Sequence, residues 1–470
     1  MITPKSTFAL FFGNRGFFPA TMIAQARTEL AQQLQQWGHT VLLMDEASTR
    51  YGAVETPQEG EKFANFLREN CGRYDGVILC LPNFGNETGA VTALKDAGVP
   101  ILVQAYPDNL DKMAPAFRRD AFCGKLSIMD VFNQYGVKFT ALKPHVVPVI
   151  SETFEANVGR FDRVCRVVKG MRGLVIGAIG ARTTPFKTVR IDELALQKNG
   201  ITVESLDLAD IIGRVKALPS YSEALKIKST FLKGYTTWEG VPAEAFDRLA
   251  RLSVVLDNVI QEYKMDAIAL RCWTELQAQL GISPCVLLGV LNNDGLPAAC
   301  EVDIGNAIMM RALSSASGNV PACLDWNNNY GDDEDKCILF HCGPVPVSLM
   351  SSPGCISDHS ILANSIGVGK GYGCHVGRIS PTPFTFGSLL TNEGKLKFYL
   401  GQGHFTDDPI ADDFFGCAGV AKIPHLQDVL LHIGRFGHRH HVSITPGHVQ
   451  LSLLDALKNY LGYDVAMPQG

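Results

Sequence analysis

The stretch Thr7-Phe8-Ala9-Leu10-Phe11-Phe12-Gly13-Asn14-Arg15-Gly16 (residues 7–16) is an apolar run that ends in a glycine-bounded loop. It does not alternate between apolar and polar residues, which is the pattern of a parallel strand covered on both faces. A helical stretch from Pro19 to Trp37 follows. The cycle then repeats, with strands at Thr40–Met44, Asp75–Cys80 and Pro100–Gln104. Strand and helix in alternation predict a doubly wound α/β unit, with its site at the carboxyl ends of the strands.

The pattern restarts near Arg172. Gly173–Ile179 reads as a strand, Gly180–Pro185 as a loop and the residues through Lys198 as a helix. Further strands are expected at Ile201–Leu206, Ala267–Arg271 and Ala298–Glu301. Beyond Gly318 the texture changes. Lys336–His341 and Phe384–Leu400 look like antiparallel strands, the latter broken by the hairpin signal Asn392-Glu393-Gly394. Helices are expected at Pro424–Ile433, stopped by Gly434, and at His448–Leu461. The fold class is therefore α/β: two doubly wound, Rossmann-like α/β domains (residues 1–145 and 146–318), then a smaller β-rich C-terminal domain (residues 319–470).

A chain of 470 residues is too long for one ordinary core and agrees with that division. Hydrophobic residues make up 46% and charged residues 19%, as in a soluble globular protein. A net charge of −5 gives no electrostatic case for nucleic acid or an anionic membrane surface. No apolar run approaches the roughly 18 residues of a spanning helix, and Met1 to Thr7 lacks the pattern of a signal peptide. The 13 cysteines are odd in number and without CxxC spacing, which fits buried thiols in a reducing, cytoplasmic setting. Ten of the 12 histidines lie at or beyond His341, so metal or proton chemistry is to be sought there.

Gly13-Asn14-Arg15-Gly16 and Gly177-Ala178-Ile179-Gly180 both follow strands, but neither completes GxGxxG, and GxxxxGK[ST] is absent. Tight βα turns explain these glycines better than nucleotide binding does. Arg15 and Arg182 would sit at strand ends, where a guanidinium can orient a hydroxylated ligand. Cys272-Trp273-Thr274-Glu275 reads equally as a sugar-facing wall or as a helix start with Thr274 as N-cap.

Ala299-Cys300-Glu301-Val302-Asp303 holds the sharpest acidic pair. Asp303 has a structural role available as N-cap of a helix over Ile304–Leu313. Glu301 does not, and a carboxylate at the end of a buried strand is costly unless paired or metal-bound. Asp325 repeats the situation at the end of the apolar run from Val320, beside Trp326 and Asn327–Asn329, groups suited to a polyol. His341 lies inside the apolar run Cys337–Cys342 and reads equally as a core histidine or a ligand. The segment Gly434–His448 carries His438, His440, His441 and His448. In an extended chain His440 and His441 face opposite ways, so only one of them points inward. HExxH is absent, and a Glu/Asp/His set favours Mn²⁺ or Mg²⁺ over structural zinc.

The runs CEVDIGNAI (300–308), CLDWN (323–327), HCG (341–343) and HRHHVSITPGH (438–448), in that order, resemble the L-fucose/L-arabinose isomerase superfamily. So does GAIGARTTPFKTVRIDELALQKNGITVESLDLADI (177–211), which is similar to the start of that family's second domain. The resemblance implies that Glu301 and Asp325 are the two catalytic, metal-binding carboxylates and that His441 is the last ligand. It makes His341 similar to an extra histidine ligand of the arabinose branch, whereas an aspartate at 325 is as in the fucose branch. Arg15 falls where the fucose branch contacts substrate, and His440, Glu275, Trp326 and Asn327 are expected around the sugar. The resemblance further implies Mn²⁺, with Mg²⁺ or Co²⁺ possible, and a homo-oligomer (hexamer or trimer) with sites between subunits.

The expected activity is interconversion of a free pentose, hexose or deoxyhexose between aldose and ketose through a cis-enediol. The alternatives are a metal-dependent aldolase or epimerase on a sugar or sugar acid, and a non-catalytic sugar-binding protein.

Overall fold

The computed structural model describes residues 4–19 and 21–469. They form two compact units. One takes the chain up to Lys169 together with Leu451–Gly462; the other takes Gly170–Gln450 and the chain from Tyr463 onward. No helix among the described residues is long and apolar enough to cross a membrane.

The first unit is built on four parallel strands, β1 (Thr7–Phe12), β2 (Thr40–Leu43), β3 (Gly76–Leu81) and β4 (Ile101–Ala105), ordered β2-β1-β3-β4. The two inner strands and β4 are buried almost throughout, as their unbroken apolar runs require, while the edge strand β2 is part-exposed. The first helix runs Thr21–Gln36. Of the expected start, Ala20 lies outside the described residues, as do Met1 to Thr3 of the N-terminal reading. The helix Pro57–Glu69 begins with a capping box, Thr56 accepting from the Glu59 amide and Glu59 closing back on the Thr56 amide.

The expected late helix starts at Gln450 rather than His448, and its second half, Asp455–Tyr460, is a π-helix. The wider turn accompanies tertiary hydrogen bonds: the Tyr460 hydroxyl donates to the Ile101 carbonyl at 3.1 Å, and Thr140 donates to Asp455 at 2.7 Å.

The second unit opens with another parallel sheet, β5 (Val175–Ile179), β6 (Thr202–Leu206), β7 (Ala267–Leu270) and β8 (Ala298–Cys300), ordered β6-β5-β7-β8. The helix expected through Lys198 is in fact a 3₁₀ turn, Lys187–Val189, and a short helix, Glu193–Lys198, started by the Asp192 side chain on the Ala195 amide.

After a long buried helix, Ile304–Ser317, come β9 (Ala322–Asn329), β10 (Lys336–His341), β11 (Cys355–Ser357), β12 (Cys374–Arg378), β13 (Thr382–Asn392), β14 (Lys395–Phe405), β15 (Cys417–Lys422), β16 (His441–Pro446) and β17 (Asp464–Ala466). Six of them pair in the ring β15-β10-β9-β16-β13-β14 and back to β15, every pairing antiparallel. This is a closed barrel, which leaves those six strands no free edge. The hairpin turns at Asn392–Lys395, where the sequence placed it.

The helix Leu426–Phe436 does not stop at Gly434. Glycine tolerates a helix interior at about 1 kcal/mol, and the chain leaves the helix at Gly437, whose φ of 74° is left-handed.

Strand alternation sets the sides of the barrel wall. Leu324, Trp326, Val442 and Ile444 join the apolar cluster of Phe384, Phe386 and Tyr399. Asp325, opposite His441, and Cys323, opposite Ser443, face the other way. That outer face receives the helix Ile304–Ser317: Ser443 donates to Asn306 at 2.8 Å, and Ser317 and Thr445 share a hydrogen bond of the same length. Gly305 permits the approach. A Cβ there would lie 2.6 Å from the Leu389 carbonyl and 2.5 Å from the Arg439 guanidinium.

Candidate active site and metal centre

Four segments of the second unit meet at one point: the end of β8, and strands β9, β10 and β16 of the barrel. At the end of β8 the chain turns through Glu301 and Val302, both in the left-handed region (φ 60° and 59°). That is unusual for a β-branched residue and costs on the order of 1–3 kcal/mol per position. The turn is held by Val302 and Asp303 amides on the Leu270 and Cys300 carbonyls. It places Glu301 at the mouth of the sheet and Asp303 at the head of the following helix. As expected, Asp303 caps that helix, accepting from the Asn306 amide at 3.0 Å.

Asp303 does more than cap. Fully buried, it is salt-bridged to Arg439 and accepts from His441 Nδ1 at 2.8 Å. Burial alone would push its pKa up, but Arg439, His441 and Asn306 together hold it well below the ordinary range, so it is an ionised acceptor. A His441 proton is thereby fixed on Nδ1, and Nε2 is the ring nitrogen that faces the site. Nε2 lies 2.8 Å from Glu301 Oε2 and 3.3 Å from Asp325 Oδ1. Glu301 is held ionised too: burial raises its pKa, but His441, above all, and the Trp273 indole N–H bring it down to about 2. That indole donates to Glu301 Oε1 at 3.0 Å.

Two ligand sets are within metal-binding reach, Glu301/His341/His441 and Asp325/His440/His441. Three buried atoms here, Asp325 Oδ1, His341 Nε2 and His441 Nε2, have no hydrogen-bond partner. Two carboxylates and a neutral imidazole supply two negative charges and borderline-to-hard donors. That set fits a divalent cation, which would satisfy the unpartnered Asp325 oxygen and His441 nitrogen. Without one, burial pushes the His441 pKa down, but its hydrogen bond to Asp303 and the nearby carboxylates raise it well above the ordinary value.

The remaining expected residues divide. His440 Nε2 is 3.6 Å from Asp325 Oδ1, and its half-exposed ring meets Phe186 edge-on at 5.2 Å. Phe186 also packs on Trp273 and His441 and forms an apolar wall that sequence reasoning missed. His438 is not in the cluster. It packs against Tyr399, and burial lowers its pKa to about 3. His448 is exposed. Trp326 is turned away from Asp325, packed on Phe386 with its indole N–H on the Tyr399 hydroxyl. Asn327 is exposed and bonded to its neighbour Asn328.

Thr274 precedes the helix Glu275–Leu280 but makes no side-chain cap. Glu275 pairs with Arg271 at 2.7 Å. Both line a cleft of about 990 Å³ at the carboxyl ends of β5–β8, together with Arg182 and Val302. Arg182 donates to the carbonyls of Thr183 and Thr184. In the first unit, Arg15 lies over Phe84, paired with Glu87 and donating to the Gly85 carbonyl at 2.8 Å. The orienting pair Asp303–Arg439 was missed as such. The signal available was alternation, which puts Arg439 on the same side of an extended chain as His441.

Comparison with known proteins places these features. Residues 9–172 match the model of the fucose/sulfoquinovose isomerase N-terminal domain, and residues 339–468 that of the L-fucose isomerase C-terminal domain. Glu301 and Asp325 lie between the two matches. A sulfoquinovose isomerase of Priestia aryabhattai is 25% identical over 408 residues, covering 86% of this chain and 87% of its own. One of Alkalicoccus urumqiensis is 23% identical over 325 residues, 68% and 71% of the two chains. Among solved structures, a carbohydrate transporter of Acidothermus cellulolyticus in complex with myo-inositol covers 67% of this chain and 89% of its own at 11% identity, with a TM-score of 0.17, too slight a likeness to carry an argument.

The Asp303–His441 contact gives a direct test. In Asp303→Asn the acceptor that fixes the proton on Nδ1 is lost, and Mn²⁺ affinity measured by calorimetry is expected to fall about 10–100-fold. Unchanged affinity in the folded variant would show that this contact does not orient a ligand.

Proposed function

This chain belongs to the fucose isomerase-like proteins, sugar isomerases that interconvert aldose and ketose, and we propose that it isomerises a free pentose, hexose or deoxyhexose with a divalent metal, Mn²⁺ first among the candidates. The observation that carries this reading is the convergence of Glu301 and Asp325 on one imidazole nitrogen whose proton is fixed on the far side by Asp303. The name of the relatives makes sulfoquinovose the first sugar to assay.

Isomerisation removes a proton from the carbon beside a carbonyl and returns it to the neighbouring carbon. A divalent cation supplies positive charge near the two sugar oxygens on which negative charge develops. Glu301, ionised by its surroundings, is suited to take the first proton, and Asp325, opposite His441 on β9, to serve the second oxygen or carbon. The Trp273 indole on Oε1 fixes the Glu301 carboxylate, so its other oxygen, Oε2, faces the His441 side. Phe186 and Trp273 pack edge-to-face and would shield the reacting carbons from water. A plain sugar-binding protein has no use for such a ligand set.

The same reading carries a cytoplasmic homo-oligomer, a hexamer or trimer, in which Arg15 and the segment from Phe122 to Gln134 meet a neighbour's site. What supports it is that Phe122 and Leu126, one helical turn apart, are 54% and 52% exposed.

Three outcomes are expected. Chelation abolishes turnover of the panel sugar and Mn²⁺ restores it; full turnover by protein shown to be metal-free would remove the metal from the reaction. Product formed in D₂O carries deuterium at C1, and Glu301→Gln and Asp325→Asn each lose about 10²–10⁴-fold in kcat. An Asp325→Asn protein that keeps its Mn²⁺ and its rate, with no label in the product, would leave a direct hydride shift instead. Finally, mixing inactive Arg15→Ala with inactive Glu301→Gln rescues activity if sites are shared between subunits. No rescue from verified mixed oligomers would refute shared sites.

A further inference from the structure

His341 and His441 stand side by side, ring centroids 5.7 Å apart, and both aim Nε2 at the Glu301 carboxylate. Their other ring nitrogens differ. Nδ1 of His441 meets an ionised carboxylate, an acceptor that demands a proton on Nδ1 and so leaves Nε2 as the nitrogen placed to coordinate a cation. Nδ1 of His341 meets donors only. The Cys342 amide N–H points at it at 2.9 Å, and the Cys342 thiol lies 3.5 Å away. Contact with Cys285 and burial keep that thiol protonated. A backbone N–H cannot give up its proton, so Nδ1 of His341 must accept, which puts the ring's proton on Nε2.

This is the reverse of a metal-ligating histidine, which donates through one nitrogen and coordinates through the other. His341 is 1% exposed, yet its Nε2 has no hydrogen-bond partner, and Glu301 Oε2, at 4.0 Å, is too far to serve as one. A buried N–H without an acceptor is costly, so the acceptor is missing rather than unnecessary.

We propose that His341 is not a metal ligand but an Nε2–H donor to an oxygen of the bound sugar, leaving Glu301, Asp325 and His441 as the protein's ligand set. Three protein ligands keep positions open for substrate oxygens, and the Nε2–H adds a hydrogen bond to one of them. This rests on the isomerase reading above, but the assignment of the proton does not.

The tautomer is read first in the metal-free protein, from ¹⁵N shifts of labelled histidine assigned with His341→Gln. The expected result is Nε2–H; a proton on Nδ1 overturns the proposal. The second readout is pulsed electron paramagnetic resonance of the Mn²⁺-loaded holoenzyme. One directly bound imidazole nitrogen is expected, the same in wild type and His341→Gln; a second bound nitrogen that disappears in His341→Gln overturns it.

Function separates the remaining case, a purely structural ring. Glutamine places an amide N–H near the Nε2 position, so His341→Gln should keep most of kcat/KM. His341→Leu should keep Mn²⁺ affinity within about threefold while losing kcat/KM about 10–100-fold. Equal losses in the two variants would refute the donor role. Failure to bind Mn²⁺ at all would sink the metal reading, and the ¹⁵N shifts would then decide the tautomer alone.

Discussion

The carboxylate of Asp303, shut away from solvent between Arg439 and His441, is the interaction on which the site depends. Burying an ion pair is no gain in itself, since desolvation cancels much of the attraction, whereas removing one partner leaves a charge stranded. Arg439 keeps Asp303 ionised, Asp303 keeps a His441 proton on Nδ1, and Nε2 faces two carboxylates, placed to coordinate a cation. Because Asp303 is also the cap of the helix Ile304–Ser317, the same atoms tie the end of the second sheet to the wall of the barrel.

The strained turn before it has a reason in these terms. A strand that simply continued past Cys300 would alternate Glu301 and Val302 across the sheet. Two consecutive left-handed residues instead swing Glu301 towards β16 while Val302 stays buried and Asp303 reaches the helix axis. The cost is met by packing around it: Gly305 opens the path for Arg439, and Trp273 bonds the Glu301 oxygen that does not face His441. Charge, backbone and packing all converge on one carboxylate pair, which is how a site is pre-organised for chemistry.

The contrast between the two histidines shows how little of this is in residue type. His341 and His441 are identical side chains, equally buried, facing the same carboxylate. What separates them is a single neighbour on the far ring nitrogen, an aspartate in one case and a backbone amide in the other. One becomes fit to bind a cation and the other to donate a hydrogen bond.

Much was legible in the residues themselves. Unbroken apolar runs placed the parallel strands within one or two residues, because a strand buried on both faces has no polar alternative. Glu301 and Asp325 stood out because a carboxylate ending an apolar run needs a partner. Helix ends were less legible, as at Gly434, because one glycine costs less than the tertiary contacts that carry a helix through it. Closure of the barrel depends on strands far apart in sequence, β10 meeting β15 and β9 meeting β16, which local pattern does not encode. The direction of each side chain also waited for register: Trp326 looked like a sugar contact beside Asp325, but adjacent residues in a strand point to opposite faces, and pairing with β16 chose which. The sequence by itself determined which groups were too costly to bury alone. Only the tertiary structure decided which of them meet, and so where each proton sits, because a hydrogen bond is set by the one neighbour in reach.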